Sequence, residues 1–217
     1  MPMLWMRMPG QTWLAVAASF VAAWVVMMVA MMLPSLVPML GRYRRAIAGD
    51  GGARPVLLTA LVGVGYVFVW TVFGAIAFPI GLVAAAIARG RPGAAATAPM
   101  AVGAVVLIAG ILQHSTWKAR HLAFCRNEPR HGRALAADAG AAWRHGLCLG
   151  LHCCQSCAGL TAAALVIGIM DLRVMAVIMT AITAERLAPS GDLVARVTGS
   201  GLVGAGLFLM AHAAALG

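Results

Sequence analysis

Hydrophobic positions in this chain come in long unbroken runs rather than at alternating or one-sided spacing. Runs of about 20 apolar residues, at 1.5 Å per residue, are what an α-helix needs to cross a bilayer. The first run spans 13–40 and ends at Gly41-Arg42-Tyr43-Arg44-Arg45, with Pro34 and Pro38 bending its last turns. It follows Pro9-Gly10 and is too long, without a basic start, to be read as a cleaved signal peptide. The second run, 56–88, exceeds one perpendicular crossing and predicts tilt or a break near Pro79. The third, 99–114, continues as helix past Gln113 and His114. A polar cytoplasmic loop, 115–145, separates it from a fourth at 146–170. A short fifth, 174–187, follows the Asp171-Leu172-Arg173 turn and stops at Pro189-Ser190-Gly191. The sixth is 194–216. The expected fold is an all-α polytopic membrane protein of six transmembrane helices, with residues 1–217 forming one membrane domain.

Composition excludes the alternatives. Of 217 residues, 62% are hydrophobic and 10% charged, against roughly 45–50% and 25% in soluble domains. A soluble fold of this size could not bury so much apolar surface, and a disordered chain would be polar. The net charge of +10 would ordinarily suggest nucleic acid. Placed on the six-span topology, however, twelve Lys and Arg residues share one face: Arg42, Arg44, Arg45, Arg54, Lys118, Arg120, Arg126, Arg130, Arg133, Arg144, Arg186 and Arg196. The other face has four: Arg7, Arg89, Arg91 and Arg173. The positive-inside rule makes the richer face cytoplasmic and both termini extracytoplasmic, and no nucleic-acid partner is needed.

Candidate chemistry is concentrated in the fourth span. Leu147 to Leu160 reads LCLGLHCCQSCAGL. At about 100° per residue, Cys153, Cys154 and Cys157 share one arc of the helix, and His145, Cys148 and His152 share another. Thiolates and imidazoles are the ligands chosen by Cu(I) and Zn(II). The five cysteines cannot all pair within one chain. Small residues also let helices pack closely, and Gly146 and Gly150 serve that purpose. Packing does not call for three thiols on one arc beside a histidine, and polar groups within spans are costly. In span one, Met27 and Met31, and Met28 and Met32, stack at i,i+4. Thioethers are soft ligands for Cu(I), although a methionine stripe by itself is ordinary packing.

The topology brings the Met28, Met31 and Met32 thioethers, the fourth-span thiols, His152, His114 and Glu185 to the cytoplasmic half of the bilayer. Glu185 has a plainer reading as a partner of Arg186 or an interfacial carboxylate. In the basic segment, His121 and Cys125 are i,i+4 and could form a delivery or pickup pair if that segment is helical, but ordinary solvent exposure is the expectation. His212 is isolated. No phosphate-binding glycine loop, H-E-x-x-H or G-x-S-x-G occurs, and the six carboxylates are scattered.

The residues Trp24, Met28, Ala30-Met31-Met32-Leu33-Pro34-Ser35 and Pro38 carry a family pattern. So do Gln113, Thr116, Lys118, Cys125 and Pro129, and then His145-Gly146-Leu147, Cys153, Cys157, Met170-Asp171-Leu172, Glu185 and Leu187. On these positions the chain resembles a bacterial family of uncharacterised, predicted metal-binding integral membrane proteins. The resemblance runs from Trp13 to the start of span six. It implies the same fold, importance for the matched positions, and a place in the bacterial inner membrane. The family pattern has a cysteine followed shortly by a Cys-Cys pair; here Ser156 stands for one of that pair and Cys154 adds a thiol.

The resulting expectation is a membrane protein that binds or handles a soft metal ion, Cu(I) ahead of Zn(II). Cys153, Cys154 and Cys157 would be primary ligands, Met28, Met31 and Met32 would approach from span one, and His152 or Glu185 would complete the site. The lipid bilayer is the other partner, with a membrane metalloenzyme or a second copy of the chain left open. Two alternatives stand beside it. One is a thiol–disulfide oxidoreductase using Cys154-x-x-Cys157. The reducing side of the membrane and the geometry of C-x-x-C within a helix weigh against it. The other is an accessory subunit of a larger complex, packed through Gly199, Gly201, Gly204 and Gly206.

Overall fold

The computed structural model describes residues 12–47, 53–90, 94–127, 138–168 and 171–216. Arg7, Pro9, Gly10, Arg91, Pro92, Gly93, Pro129, Arg130, Arg133 and Met170 lie outside that set. The described residues form seven helices: α1 Trp13–Ile47, α2 Ala53–Gly90, α3 Ala94–Gln113, α4 Thr116–Asn127, α5 Ala139–Ile167, α6 Leu172–Leu187 and α7 Gly191–Leu216. Among the described residues, α1, α2, α5 and α7 are long and apolar enough to cross a membrane. The pair α3 and α4, bent by 63° at a short break, is a fifth candidate. The fifth expected span, α6, has 16 residues. At 1.5 Å per residue it is about 24 Å long, short of a hydrocarbon core of about 30 Å.

Several boundaries differ from the sequence reading for local reasons. Helix α1 does not stop at Gly41 but runs on to Ile47, with Arg44 and Arg45 in its last turn facing the negative end of the helix dipole. Helix α2 is continuous through Pro79. The described part of the segment expected as a polar loop is largely helical: α4 follows the turn at His114 and Ser115, and α5 begins seven residues earlier than expected, at Ala139. Asp138 caps α5, its side chain accepting from the Ala141 amide at 2.8 Å, and Asp171 caps α6 by accepting from Arg173 at 2.8 Å. Gly168 ends α5 at φ 155°, a conformation open to glycine. Arg126 of α4 closes the other end of α6, donating to the carbonyls of Ala188 at 2.8 Å and Pro189 at 2.7 Å.

Helix α5 is central and packs on α2, α3, α4 and α6. Its glycines set the approach of α2: a Cβ on Gly146 would lie 2.3 Å from the Val62 carbonyl oxygen, and one on Gly150 would lie 2.9 Å from the Val69 Cβ. Small residues of this kind let two backbones touch. Helix α1 is fixed to α2 by Trp24, whose indole N–H donates to the Trp70 carbonyl at 3.1 Å and whose ring lies against Gly74. From Trp24 the stripe Met28, Met31, Met32, Ser35, Leu36 and Met39 follows at helical spacing, and all of it is buried. Of the glycines assigned to a partner-facing surface, Gly199 and Gly206 pack internally, against Gln113 and Leu107 of α3, whereas Gly201 and Gly204 have open space. Many large apolar side chains point outward, among them Leu14, Val26, Leu57 and Phe208, as long apolar helices of a membrane protein would present.

Candidate metal centre

Four helices bring a sulfur cluster together at the centre of the main core. Helix α5 supplies Cys153, Cys154 and Cys157, α1 supplies Met28, Met31 and Met32, α2 supplies Tyr66 and α6 supplies Arg186. All are buried, and Cys153 and Met32 are wholly so. The two sulfur sets meet where Cys153 Sγ lies 4.0 Å from Met32 Sδ. The Tyr66 hydroxyl is 2.8 Å from Cys153 Sγ on the opposite flank. Tyr66 and the Gly146–Gly150 contact belong to the same stretch of the α2–α5 crossing, so glycine packing sets the height of that hydroxyl.

Arg186 is the residue that sequence reasoning missed. It was counted among the cytoplasmic charges, yet it is 5% exposed and points into the core from the last turn of α6. One guanidinium nitrogen, Nη2, donates to Cys153 Sγ at 2.8 Å, Cys157 Sγ at 3.1 Å and Ser156 Oγ at 3.1 Å. Nη1 reaches Ser35 Oγ at 3.4 Å. The signal available in the sequence was the serine spacing: Ser35 and Ser156 lie among sulfur residues on two helices and supply oxygen acceptors to a buried cation. A buried guanidinium needs such partners, because desolvating a charge without them costs several kcal/mol.

The expected set is therefore assembled in part. Cys153, Cys157 and Met32 converge, and Cys154, Met28 and Met31 are buried in the same core cluster. The three thiols do not form a closed ligand set. Among the described residues no group of three or more His, Cys, Asp or Glu side chains is arranged to hold a metal ion. The reason is visible in the contacts: Cys153 and Cys157 turn toward one cation, Arg186, and the third soft donor beside them is a thioether.

His152 and Glu185 have other partners. Glu185 is 2% exposed and forms a buried ion pair with Lys118, Nζ to Oε2 at 2.7 Å. Gln113 Nε2 donates to its other oxygen at 2.7 Å, and Lys118 also donates to the Gln113 carbonyl oxygen. Glu185 is thus neither paired with Arg186 nor at a solvated surface. It joins α6 to the α3–α4 bend, and so fixes the neighbouring Arg186 in place. His152 turns toward α4, its Nδ1 lying 2.8 Å from Nδ1 of His121. Of the other histidines, His145 stacks on Tyr43 with centroids 4.9 Å apart, and His114 abuts Gly199. Cys125, expected in solvent, is 1% exposed and belongs to the same core cluster as the thiols. None of the five cysteines is in a disulfide.

An all-helical chain with a central cluster of thiols and thioethers is the class that fold and site define. The comparison with known families agrees: a family model described as a copper chaperone, PpoB2, matches residues 21–209. That is most of the chain, and the chain belongs to this copper chaperone family. No curated protein and no solved structure matches it.

Proposed function

We propose that the chain is an integral membrane copper chaperone that carries Cu(I) between Cys153, Cys157 and Met32, with Arg186 as a built-in counter-charge. The observation that carries this reading is the shared cation: a single guanidinium nitrogen lies within 3.1 Å of both thiol sulfurs in a buried core. The sulfurs already face a positive group, as ligands of a soft cation would. Loading displaces the guanidinium from between them without removing it from the core.

Charge arithmetic favours Cu(I) over Zn(II). Two thiolates around Cu(I) carry one net negative charge, and Arg186 makes the unit neutral. Around Zn(II) the same thiolates are already neutral, which leaves Arg186 unbalanced in a low-dielectric interior. Zn(II) also calls for four ligands, whereas soft thiolate and thioether donors select Cu(I). Cys154, Met28 and Met31 are further soft donors in the same core. Six spans, with the bilayer thinned at the short α6, put both termini outside and the basic face in the cytoplasm of a bacterial inner membrane. The sulfur cluster then lies in the cytoplasmic half, where reducing conditions keep thiols free. The recipient would be a membrane metalloenzyme. The oxidoreductase reading is weaker, because Cys153 rather than Cys154 shares Arg186 with Cys157.

The test is elemental analysis and X-ray absorption on protein purified under reducing conditions. One copper per chain with sulfur neighbours is expected, lost in the Cys153→Ser/Cys157→Ser variant. Equal trace copper in both proteins would end the proposal.

A further inference from the structure

The copper reading leaves one group of ligands unused. His121 and His152 meet across the α4–α5 contact with Nδ1 atoms 2.8 Å apart. Both rings are half-buried. Trp117 meets His121 edge-on with centroids 4.9 Å apart, and Phe124 stacks on His152 at 3.8 Å. The aromatic rings fix the imidazole planes so that two nitrogens point at each other. At 2.8 Å one of them donates its proton and the other accepts it.

We propose that this pair is a second site for Cu(I), an outer nitrogen-donor station from which the ion passes to the sulfur cluster. Imidazole is an established copper ligand. A metal–nitrogen bond of about 2 Å puts two coordinating nitrogens about 4 Å apart. The side chains must therefore open by roughly 1 Å, and the donating ring must move its proton from Nδ1 to Nε2. No proton is lost in that exchange, so the ion's charge is added to a neutral pair.

Placement supports the transfer. His152 directly precedes Cys153, so the two ligand groups differ by one residue's rise, about 1.5 Å, along α5. They face different neighbours: His152 faces α4, and Cys153 faces α1, α2 and α6. The nitrogen pair is half-exposed and the sulfurs are sealed. Thiolate is the softer donor, so exchange from nitrogen to sulfur runs downhill for Cu(I). The inference rests on the copper reading for the identity of the ion, while its ligands are separate.

The experiment titrates the full chain, in detergent and under reducing conditions, with Cu(I) supplied as a bicinchoninate complex, and reads stoichiometry together with X-ray absorption. Wild type should take two equivalents, one with sulfur and one with nitrogen neighbours. His121→Phe/His152→Phe, which keeps the aromatic packing, should lose the nitrogen-bound equivalent and keep the other. Cys153→Ser/Cys157→Ser should retain a two-nitrogen site, and this variant decides the matter if the phenylalanine variant does not fold. A nitrogen-bound ion in the serine variant combined with no sulfur signal in wild type would support the pair and remove the sulfur reading. Sulfur-only copper in wild type with none in the serine variant would overturn the pair and leave the sulfur reading intact. A nitrogen signal that survives in the phenylalanine variant would also overturn it.

Discussion

Arg186→Gln removes a buried positive charge while keeping an amide that can still donate to sulfur, so it isolates the electrostatic part of copper binding. Nη2 lies 2.8 and 3.1 Å from the two thiol sulfurs, and a bound ion would push the guanidinium outward. At about 4 Å, and with an effective dielectric constant near 20, one charge on the copper–dithiolate unit interacts with Arg186 by about 4 kcal/mol. If the glutamine amide returns about half of this as a hydrogen bond to a charged acceptor, about 2 kcal/mol is lost. That is roughly a 30-fold rise in Kd, within the range of 10–100-fold seen when groups supporting metal ligands are removed. Competition with a calibrated Cu(I) chelator would measure it, with a thermal melt of the metal-free protein as a control for folding. Arg186→Lys, which keeps the charge on a shorter side chain that reaches less far toward the sulfurs, should fall between wild type and glutamine. A folded glutamine variant that binds Cu(I) as tightly as wild type, or more tightly, would refute the reasoning. Arg186 would then be only a competitor for the sulfurs.

Met32→Leu conserves volume and should cost less than about 1.5 kcal/mol in stability. It should nonetheless remove one sulfur from the copper coordination seen by X-ray absorption. Lys118→Met strands the Glu185 carboxylate in the core and should destabilise the metal-free protein by about 3–5 kcal/mol. The double variant with Glu185→Leu should recover most of that loss in the same detergent melt. Gly146→Val places a Cβ where only 2.3 Å separates it from the Val62 carbonyl oxygen, so α2 and α5 must part and folded yield should collapse. Gly201→Val, with open space around it, should leave yield and melting temperature nearly unchanged. Reporter fusions at the N-terminus and within 128–137 should report outside and inside respectively; the reverse pattern would overturn the six-span orientation.

Much of the architecture was legible because lipid-length apolar runs are read from composition and length alone. The helices α1, α2, α5 and α7 follow the predicted runs, with ends moved by capping and dipole effects that act over single turns. Helix α4 was lost in a polar segment because its apolar content is low and its stability comes from contacts with α5 and α6. Its Cys125 and Lys118 are buried, and Lys118 pairs with Glu185, 67 positions along the chain. The sulfur side chains themselves stood out, since thiols and thioethers at helical spacing must share a face of their own helix.

Which faces meet is a different kind of information. Helical periodicity places Cys153, Cys154 and Cys157 on one arc, but it carries nothing about the rotation of α5 against α1, α2 and α6. Val62 against Gly146 and Trp24 against Gly74 set those rotations, through steric contacts between residues dozens of positions apart. The contacts of α4 with α5 and α6 turn His152 toward His121 and bring Glu185 to Lys118. They also leave the adjacent Arg186 facing the thiols. Sequence alone determined the long apolar helices and the presence of soft donors. Tertiary packing decided that two thiols would share a buried positive charge, one of them beside a thioether, because a charge's partner depends on distance in space and not along the chain.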